Sequence, residues 1–243
     1  MVEPLVVFDG PLVEGLFVRR YKRFSVEVQM DGGRTWVHTN NTGSMRGLLQ
    51  EGNRVLVSRS SNPSRKMAQT LEFVQADGVW CGVNTSLPGR MLKSAFVAGE
   101  LSFAAGYSNM KPEQRLPVEL ALEGENSRLD AVFWGDGKAP LWVECKNVTL
   151  VRGKVAEFPD ASTERGRKHL RQLIHLREKG LRAACFFLIQ RTDAQGFAPA
   201  SDIDPQYAAL FEKALSGGVE IYPYKSMLVP GGVALGELLP VCL

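Results

Sequence analysis

The sequence predicts two domains, a small all-β barrel at residues 1–82 followed by an α/β domain with a mixed sheet at residues 83–243. Short alternating segments cut by turn residues run as far as Gly82, and beyond it apolar residues recur at helical spacing. A strand, helix, strand, helix, strand order then implies parallel crossovers. With 44% hydrophobic and 23% charged residues, the chain has material for real cores and none of the signature of disorder.

The barrel rests on its hairpins. Phe24, Val26, Val28 and Met30 alternate with Ser25, Glu27 and Gln29, Asp31-Gly32-Gly33 turns the chain, and Thr35-Trp36-Val37-His38 returns. Further strands are expected at residues 55–57, 70–74 and 79–80, with Asp77-Gly78 turning between the last two. Short strands at this density suit a closed barrel of the OB type, with an open sandwich sheet as the alternative.

In the second domain, Leu92, Ala95 and Phe96 follow Pro88-Gly89 as the stripe of a helix. Leu129 to Trp134 and Leu141 to Val148 read as strands joined at Gly135-Asp136-Gly137. Asp160 and Thr163 are candidate caps for a helix that buries Leu170, Leu173 and Ile174 and ends at Gly180. Ala183 to Ile189 is wholly apolar, as in a strand covered on both faces. Asp204-Pro205 opens another helix, Gly217-Gly218 closes it, and Val219 to Tyr222 is a further strand.

Composition excludes several classes. Lys plus Arg is 29 against 26 for Asp plus Glu, and a net charge of +3 over this length does not by itself indicate nucleic acid. Cys81, Cys145, Cys185 and Cys242 lie far apart, form no CxxC pair and have no histidine cluster beside them, so reduced thiols and no structural zinc are expected. The opening residues have no basic segment before an apolar run, and no apolar run approaches ~18 residues. A cytoplasmic protein without membrane attachment is the expectation.

The stretch that carries chemistry is Asn126-Ser127-Arg128-Leu129-Asp130, then Glu144-Cys145-Lys146. In a strand, Glu144 and Lys146 share one face while Cys145 turns to the core with Val143 and Leu141, and a hairpin partner can bring Asp130 alongside. Two carboxylates held together repel unless a divalent cation sits between them, and hard oxygen ligands suit Mg²⁺ or Mn²⁺. A lysine there can orient a metal-bound water or offset charge on a phosphate under attack. This is the layout of restriction-endonuclease-like nucleases: Asp, a hairpin, then (Asp/Glu)-x-Lys. Asp136-Gly137-Lys138 repeats the spacing inside a turn, where it carries no meaning. A plain cross-strand ion pair at a sheet edge is the competing explanation of Glu144 and Lys146.

Along nearly its whole length the chain resembles the sugar fermentation stimulation protein A family. The phrases that carry the resemblance include Arg20-Tyr21-Lys22-Arg23-Phe24, Asn41-Thr42-Gly43-Ser44-Met45, Asn62-Pro63-Ser64-Arg65-Lys66, Ser127-Arg128-Leu129-Asp130, Glu144-Cys145-Lys146-Asn147-Val148, Phe158-Pro159-Asp160-Ala161 and Arg165-Gly166-Arg167-Lys168-His169-Leu170. The resemblance implies an N-terminal OB-like domain, a C-terminal PD-(D/E)XK nuclease-like domain, non-specific DNA binding, and a link to regulation of sugar use, maltose in particular. It implies Asp130 and Glu144 as metal ligands and Lys146 as the catalytic lysine, with Glu119 a candidate third acidic ligand from a helix. Glu119 reads equally as a solvated glutamate beside Glu123 and Glu125. Cys145 departs from the small aliphatic residue commoner in relatives, a change that a core-facing position tolerates.

Two basic clusters are candidate DNA surfaces. Arg19, Arg20, Lys22 and Arg23 interleave with Tyr21 and Phe24, the combination of charge and stacking platforms that single strands use, and Arg59, Arg65 and Lys66 follow in the same domain. A solvated strand edge is the alternative. Arg165, Arg167, Lys168, His169 and Arg171 crowd one helix, with Arg165, Lys168 and His169 the expected DNA contacts; a solvated face explains Arg167 and Arg171 equally well. Asn41-Thr42-Gly43 reads as turn chemistry without a catalytic role.

Three functions fit: a non-sequence-specific DNA-binding protein with Mg²⁺-dependent phosphodiester hydrolysis, a non-catalytic DNA-binding regulator or accessory module, and a metal-dependent hydrolase of a small phosphorylated substrate. No helix-turn-helix, basic zipper or glycine-rich phosphate loop is visible.

Overall fold

The computed structural model describes residues 2–122 and 127–243. Asn126, Glu123 and Glu125, which enter the sequence argument above, lie outside the described residues.

The chain opens with β1 (Val6–Val7), then lays down β2 (Val13–Tyr21), β3 (Ser25–Met30), β4 (Gly33–His38), β5 (Arg54–Arg59), β6 (Gln69–Ala76) and β7 (Val79–Gly82). The sheet order is β4-β3-β2-β5-β6-β7, and a parallel pairing of His38 with Thr70 joins β4 to β6, closing five strands into a barrel. This settles the choice against an open sandwich sheet. Val26 and Val28 of β3, Val37 of β4, Val55 and Val57 of β5 and Leu71 and Val74 of β6 meet inside it around Phe17. Asp31 and Gly32 make the two-residue hairpin turn, and Gly33 follows at φ +105°, a backbone region that favours glycine.

The second domain is built on a seven-stranded sheet. Its strands are β8 (Asn109–Arg115), β9 (Arg128–Gly135), β10 (Lys138–Val148), β13 (Arg182–Ile189), β15 (Glu220–Val229) and β16 (Gly232–Leu238), with β1 as the seventh, in the order β1-β16-β15-β13-β10-β9-β8. The β10, β13 and β15 pairings are parallel and the others antiparallel, so the sheet is mixed as expected. A small sheet of β11 (Leu150–Arg152), β12 (Val155–Phe158) and β14 (Gly196–Pro199) flanks it. Alternation along β10 explains the layering. Leu141 and Val143 pack on one face with α1 (Leu87–Val97), while Trp142 and Val148 pack on the other with α2 (Glu164–Glu178) and α3 (Pro205–Ser216). Every side chain of the run Ala183 to Ile189 is buried, which is why it contains no polar residue.

Two expectations need correction. A boundary that gives residues 1–82 to the barrel misplaces the start of the chain, because Val6 and Val7 pair antiparallel with Val233 and Gly232 of β16. Asp160 does not cap α2; Thr163 does, its Oγ1 accepting the Gly166 N–H at 3.0 Å. The second helix opens as expected, with Asp204 accepting the Tyr207 N–H at 2.9 Å.

Candidate functional site

Strands β9 and β10 deliver the charged residues to one end of a cleft of about 980 Å³, whose walls come from both domains. The barrel contributes Asn40 to Ser44, the start of α1 contributes Ser86, Arg90 and Lys93, and the second domain contributes Asp130, Glu144, Lys146 and Arg165. Cys145 lies between the two charged residues of β10 and packs toward the α1 layer, as the strand period requires.

Glu144 and Lys146 are buried on the α2 face of the sheet. Lys146 Nζ donates to Glu144 Oε1 at 2.6 Å and lies 2.9 Å from His169 Nδ1, which also contacts Glu144 Oε1. Burial pushes the Glu144 carboxyl up, but the Lys146 charge and the hydrogen bond from His169 outweigh it and hold Glu144 below the ordinary range. For Lys146, burial acts against the ammonium and the Glu144 charge prevails, so its pKa is raised. His169 is lowered, first by burial, which favours a neutral ring. Asp130 accepts the Cys145 N–H at 2.7 Å, yet burial and then the neighbouring Glu144 charge push its carboxyl up to about 6.

Glu144 Oε2 is buried and has no hydrogen-bond partner among the described residues. A buried carboxylate oxygen without a donor is costly. Beside a second carboxylate, raised first by burial and then by the Glu144 charge, it could help hold a divalent cation with oxygen ligands.

The remaining expected site residues divide. Glu119 sits exposed in a one-turn 3₁₀ helix (Val118–Leu120) and does not line the cleft. Glu113 of β8 does line it, between Pro112 and Gln114, which pair with Ala131 and Leu129 of β9; it stands at φ +49° and is paired with Arg128 at 3.0 Å. Arg165 faces the cleft, whereas Arg167 is tied to Asp204 and Glu164, and Arg171 to Glu164. His169 is turned inward onto Glu144 and Lys146 rather than presented to a polymer, and Lys168 is half-buried beside it.

On the barrel, Arg19 pairs with Glu27 at 2.7 Å over the Trp36 ring, and Arg20 donates to the carbonyls of Arg23, Asn41 and Gly43. Arg20 is therefore a brace for the loop carrying Asn41. Tyr21 is half exposed with its ring edge-on to Trp36, Lys22 lies over Tyr21, and Arg23 and Lys66 are exposed. Arg65 borders a second pocket with His38. The Asn41 side chain accepts the Gly43 N–H at 2.9 Å, so the expected turn chemistry is present and also forms a wall of the cleft.

Residues 18–83 match a family profile described as the SfsA N-terminal OB domain, and residues 86–232 match one described as the sugar fermentation stimulation protein RE domain. The chain belongs to the sugar fermentation stimulation protein family. It is 51% identical to the sugar fermentation stimulation protein homolog of Maridesulfovibrio salexigens, over 99% of this chain and 98% of that one. The homolog from Geobacter sulfurreducens is 43% identical over 97% and 98%. The solved structure of Pyrococcus furiosus SfsA in complex with Ca²⁺ superposes with a TM-score of 0.88 at 26% identity, covering 99% of this chain and 100% of that chain. Membership in the sugar fermentation stimulation family thus extends to the complete two-domain arrangement, and the OB barrel and restriction-endonuclease-like domain expected from the sequence are both present. Among the described residues, no helix is long and apolar enough to cross a membrane.

Proposed function

We propose that this sugar fermentation stimulation protein binds DNA without sequence preference and hydrolyses phosphodiester bonds with Mg²⁺ or Mn²⁺ held by Asp130 and Glu144. The observation that carries the reading is the buried, unpartnered Glu144 Oε2 beside Asp130, at the end of a cleft formed by both domains. The Ca²⁺ in the Pyrococcus furiosus relative agrees with a hard-cation site in this fold. When bound, such an ion supplies Lewis acidity at a phosphoryl oxygen.

The chain's own groups have separate tasks. Asp130 and Glu144 provide the oxygen ligands. Lys146, kept protonated by Glu144, places a positive charge where phosphate charge builds up. His169 steadies both by its contact with Glu144 Oε1 and Lys146 Nζ. Arg165, Arg90 and Lys93 line the same cleft and attract the polyanion.

A second reading is favoured by one observation: Glu119 stays outside the cleft and Glu144 Oε1 is already engaged by Lys146 and His169. Among the described residues no third carboxylate, histidine or cysteine groups with Asp130 and Glu144 as a metal-ligand set, and on this reading the domain serves as a DNA-binding module without turnover. A cleavage and binding assay with and without Mg²⁺ or Mn²⁺, on the wild type, Glu144→Ala and Lys146→Ala, separates the two. Metal-dependent cleavage lost in both variants supports the enzyme; binding without cleavage in all three leaves the module. Affinity that is indifferent to salt overturns backbone binding altogether.

A further inference from the structure

A second pocket of about 310 Å³ lies at the seam between the barrel and α1. It shares Asn40, Ser86 and Arg90 with the larger cleft, so the two adjoin. Its size is at the lower end of the ~300–1,000 Å³ typical of small-ligand sites, and suits one nucleotide rather than a duplex.

Three arginines from separate elements converge on it: Arg59 at the end of β5, Arg65 in the following loop, and Arg90 in α1. Arg65 donates to the Thr70 hydroxyl at 3.3 Å and Arg90 to the Val7 carbonyl at 3.1 Å, while the Arg59 side chain has no hydrogen-bond or ion-pair partner among the described residues. Among the described residues, none of the three is paired with a carboxylate. Elsewhere Arg54, Arg152, Arg167 and Arg182 are each paired with one or two. Of the two acidic residues in the pocket, Glu72 is buried with both oxygens engaged, by Ser58 at 2.6 Å and Asn84 at 2.8 Å, and Asp9 accepts from Ser61 at 3.4 Å. The three guanidinium groups therefore border the pocket without a direct carboxylate partner among the described residues, and their combined charge exceeds that of Glu72 and Asp9, which keep theirs because their donors are neutral. His38 borders the same pocket, and the half-exposed Phe24 ring stacks on it at 6.2 Å.

We propose that the Arg59, Arg65 and Arg90 pocket is a second phosphate seat, holding a phosphate of a single nucleic-acid strand whose neighbouring nucleotides occupy the Asp130–Glu144 cleft. The inference rests on the nucleic-acid reading above and adds to it a strand path and a strand form. From the cleft, the strand crosses the Asn40–Ser86 saddle into the pocket, and the Phe24–His38 ring pair at its rim gives a base a stacking platform. Guanidinium forks without carboxylate partners suit phosphate oxygens, which accept two parallel N–H donors.

The test measures binding of short single-stranded DNA, with a 5′-phosphate or a 5′-hydroxyl, and of the matching duplex, in EDTA and across about 50–200 mM salt. The proteins are the wild type, the Arg59→Gln/Arg65→Gln/Arg90→Gln variant, and a charge-matched control, Lys154→Gln/Lys179→Gln/Lys213→Gln. The arginine variant is expected to bind single strands at least about tenfold more weakly, with the slope of log affinity against log salt smaller by about 0.7, the contribution of one single-strand phosphate contact. The control stays near wild type. Loss confined to the 5′-phosphorylated strand assigns the seat to a terminal phosphate, and equal loss for both strands to an internal one; either supports the proposal. Wild-type affinity and slope in the arginine variant overturn it while leaving the nucleic-acid reading intact. An equal loss for the duplex overturns the single-strand assignment, and a wild type that binds no DNA overturns both. Arg59→Gln/Arg65→Gln, which keeps the Arg90 bond to Val7, provides the same readout if the triple variant does not fold.

Discussion

Asp160 of the second domain reaches across the cleft to Ser44 of the barrel, its Oδ2 accepting the Ser44 hydroxyl at 2.7 Å and the Met45 N–H at 3.1 Å. This contact fixes the loop that forms one wall of the cleft. Asp160→Ala removes a charged acceptor from two donors, and hydrogen bonds to charged groups contribute about 1.5–3 kcal/mol each, less where solvent competes. Thermal unfolding should show a loss of about 1–2 kcal/mol, with faster amide exchange at Met45. Unchanged exchange at Met45 would show that the barrel holds the loop by itself.

Asp204 accepts the N–H groups of Thr163 and Tyr207, both at 2.9 Å, and takes Arg167 Nη1 at 2.8 and 2.7 Å, so one buried carboxylate secures the starts of α2 and α3 together. Burial opposes its charge, but these hydrogen bonds prevail and its pKa is lowered. A depressed carboxyl contributes stability that is complete above the unfolded value of about 3.9 and vanishes as pH falls through the folded value. Asp204→Asn should therefore cost roughly 2–4 kcal/mol at neutral pH and progressively less below about pH 4. A gap that widens in acid would contradict the assignment.

Lys146 and Glu144 form a buried pair, with side chains 10% and 3% exposed. Removing one partner strands the other charge, at a cost of about 3–5 kcal/mol. Lys146→Met should be less stable than Lys146→Met/Glu144→Gln, a non-additive cycle measurable by urea unfolding in EDTA. Additive losses would mean that the pair is not coupled.

Gly232 leaves no room for a side chain: an added Cβ would stand 2.2 Å from the Val6 carbonyl oxygen. Gly232→Ala should displace β1 from the sheet edge with a loss of about 1–3 kcal/mol. Increased proteolysis within residues 2–8, with the barrel still protected, is the expected signature.

The barrel hairpins and the parallel center of the sheet were legible because their hydrophobic periods admit one reading. Strand β8 was not: Asn109 to Arg115 is a polar edge carrying Pro112, and its apolar contacts are few. With it went Glu113, whose place on the cleft wall depends wholly on that unseen strand. Asp130, Glu144 and Lys146 were readable as a set because charge inside an apolar strand is exceptional. The inward turn of His169 was recoverable in principle, since Arg165, His169 and Leu173 are spaced four apart and share one side of α2. The mass of basic residues on that helix obscured it. Arg20 misled for another reason, because an arginine that braces carbonyls has the same sequence signature as one awaiting phosphate.

The pairing of Val6 with Val233 also constrains the order of assembly during synthesis. Strand β1 leaves the ribosome with its partner more than two hundred residues downstream, so at ~5–20 residues per second it waits roughly 10–45 s for that partner to exist. The barrel, whose strands end at Gly82, can condense long before, with β1 left unpaired until β16 is made.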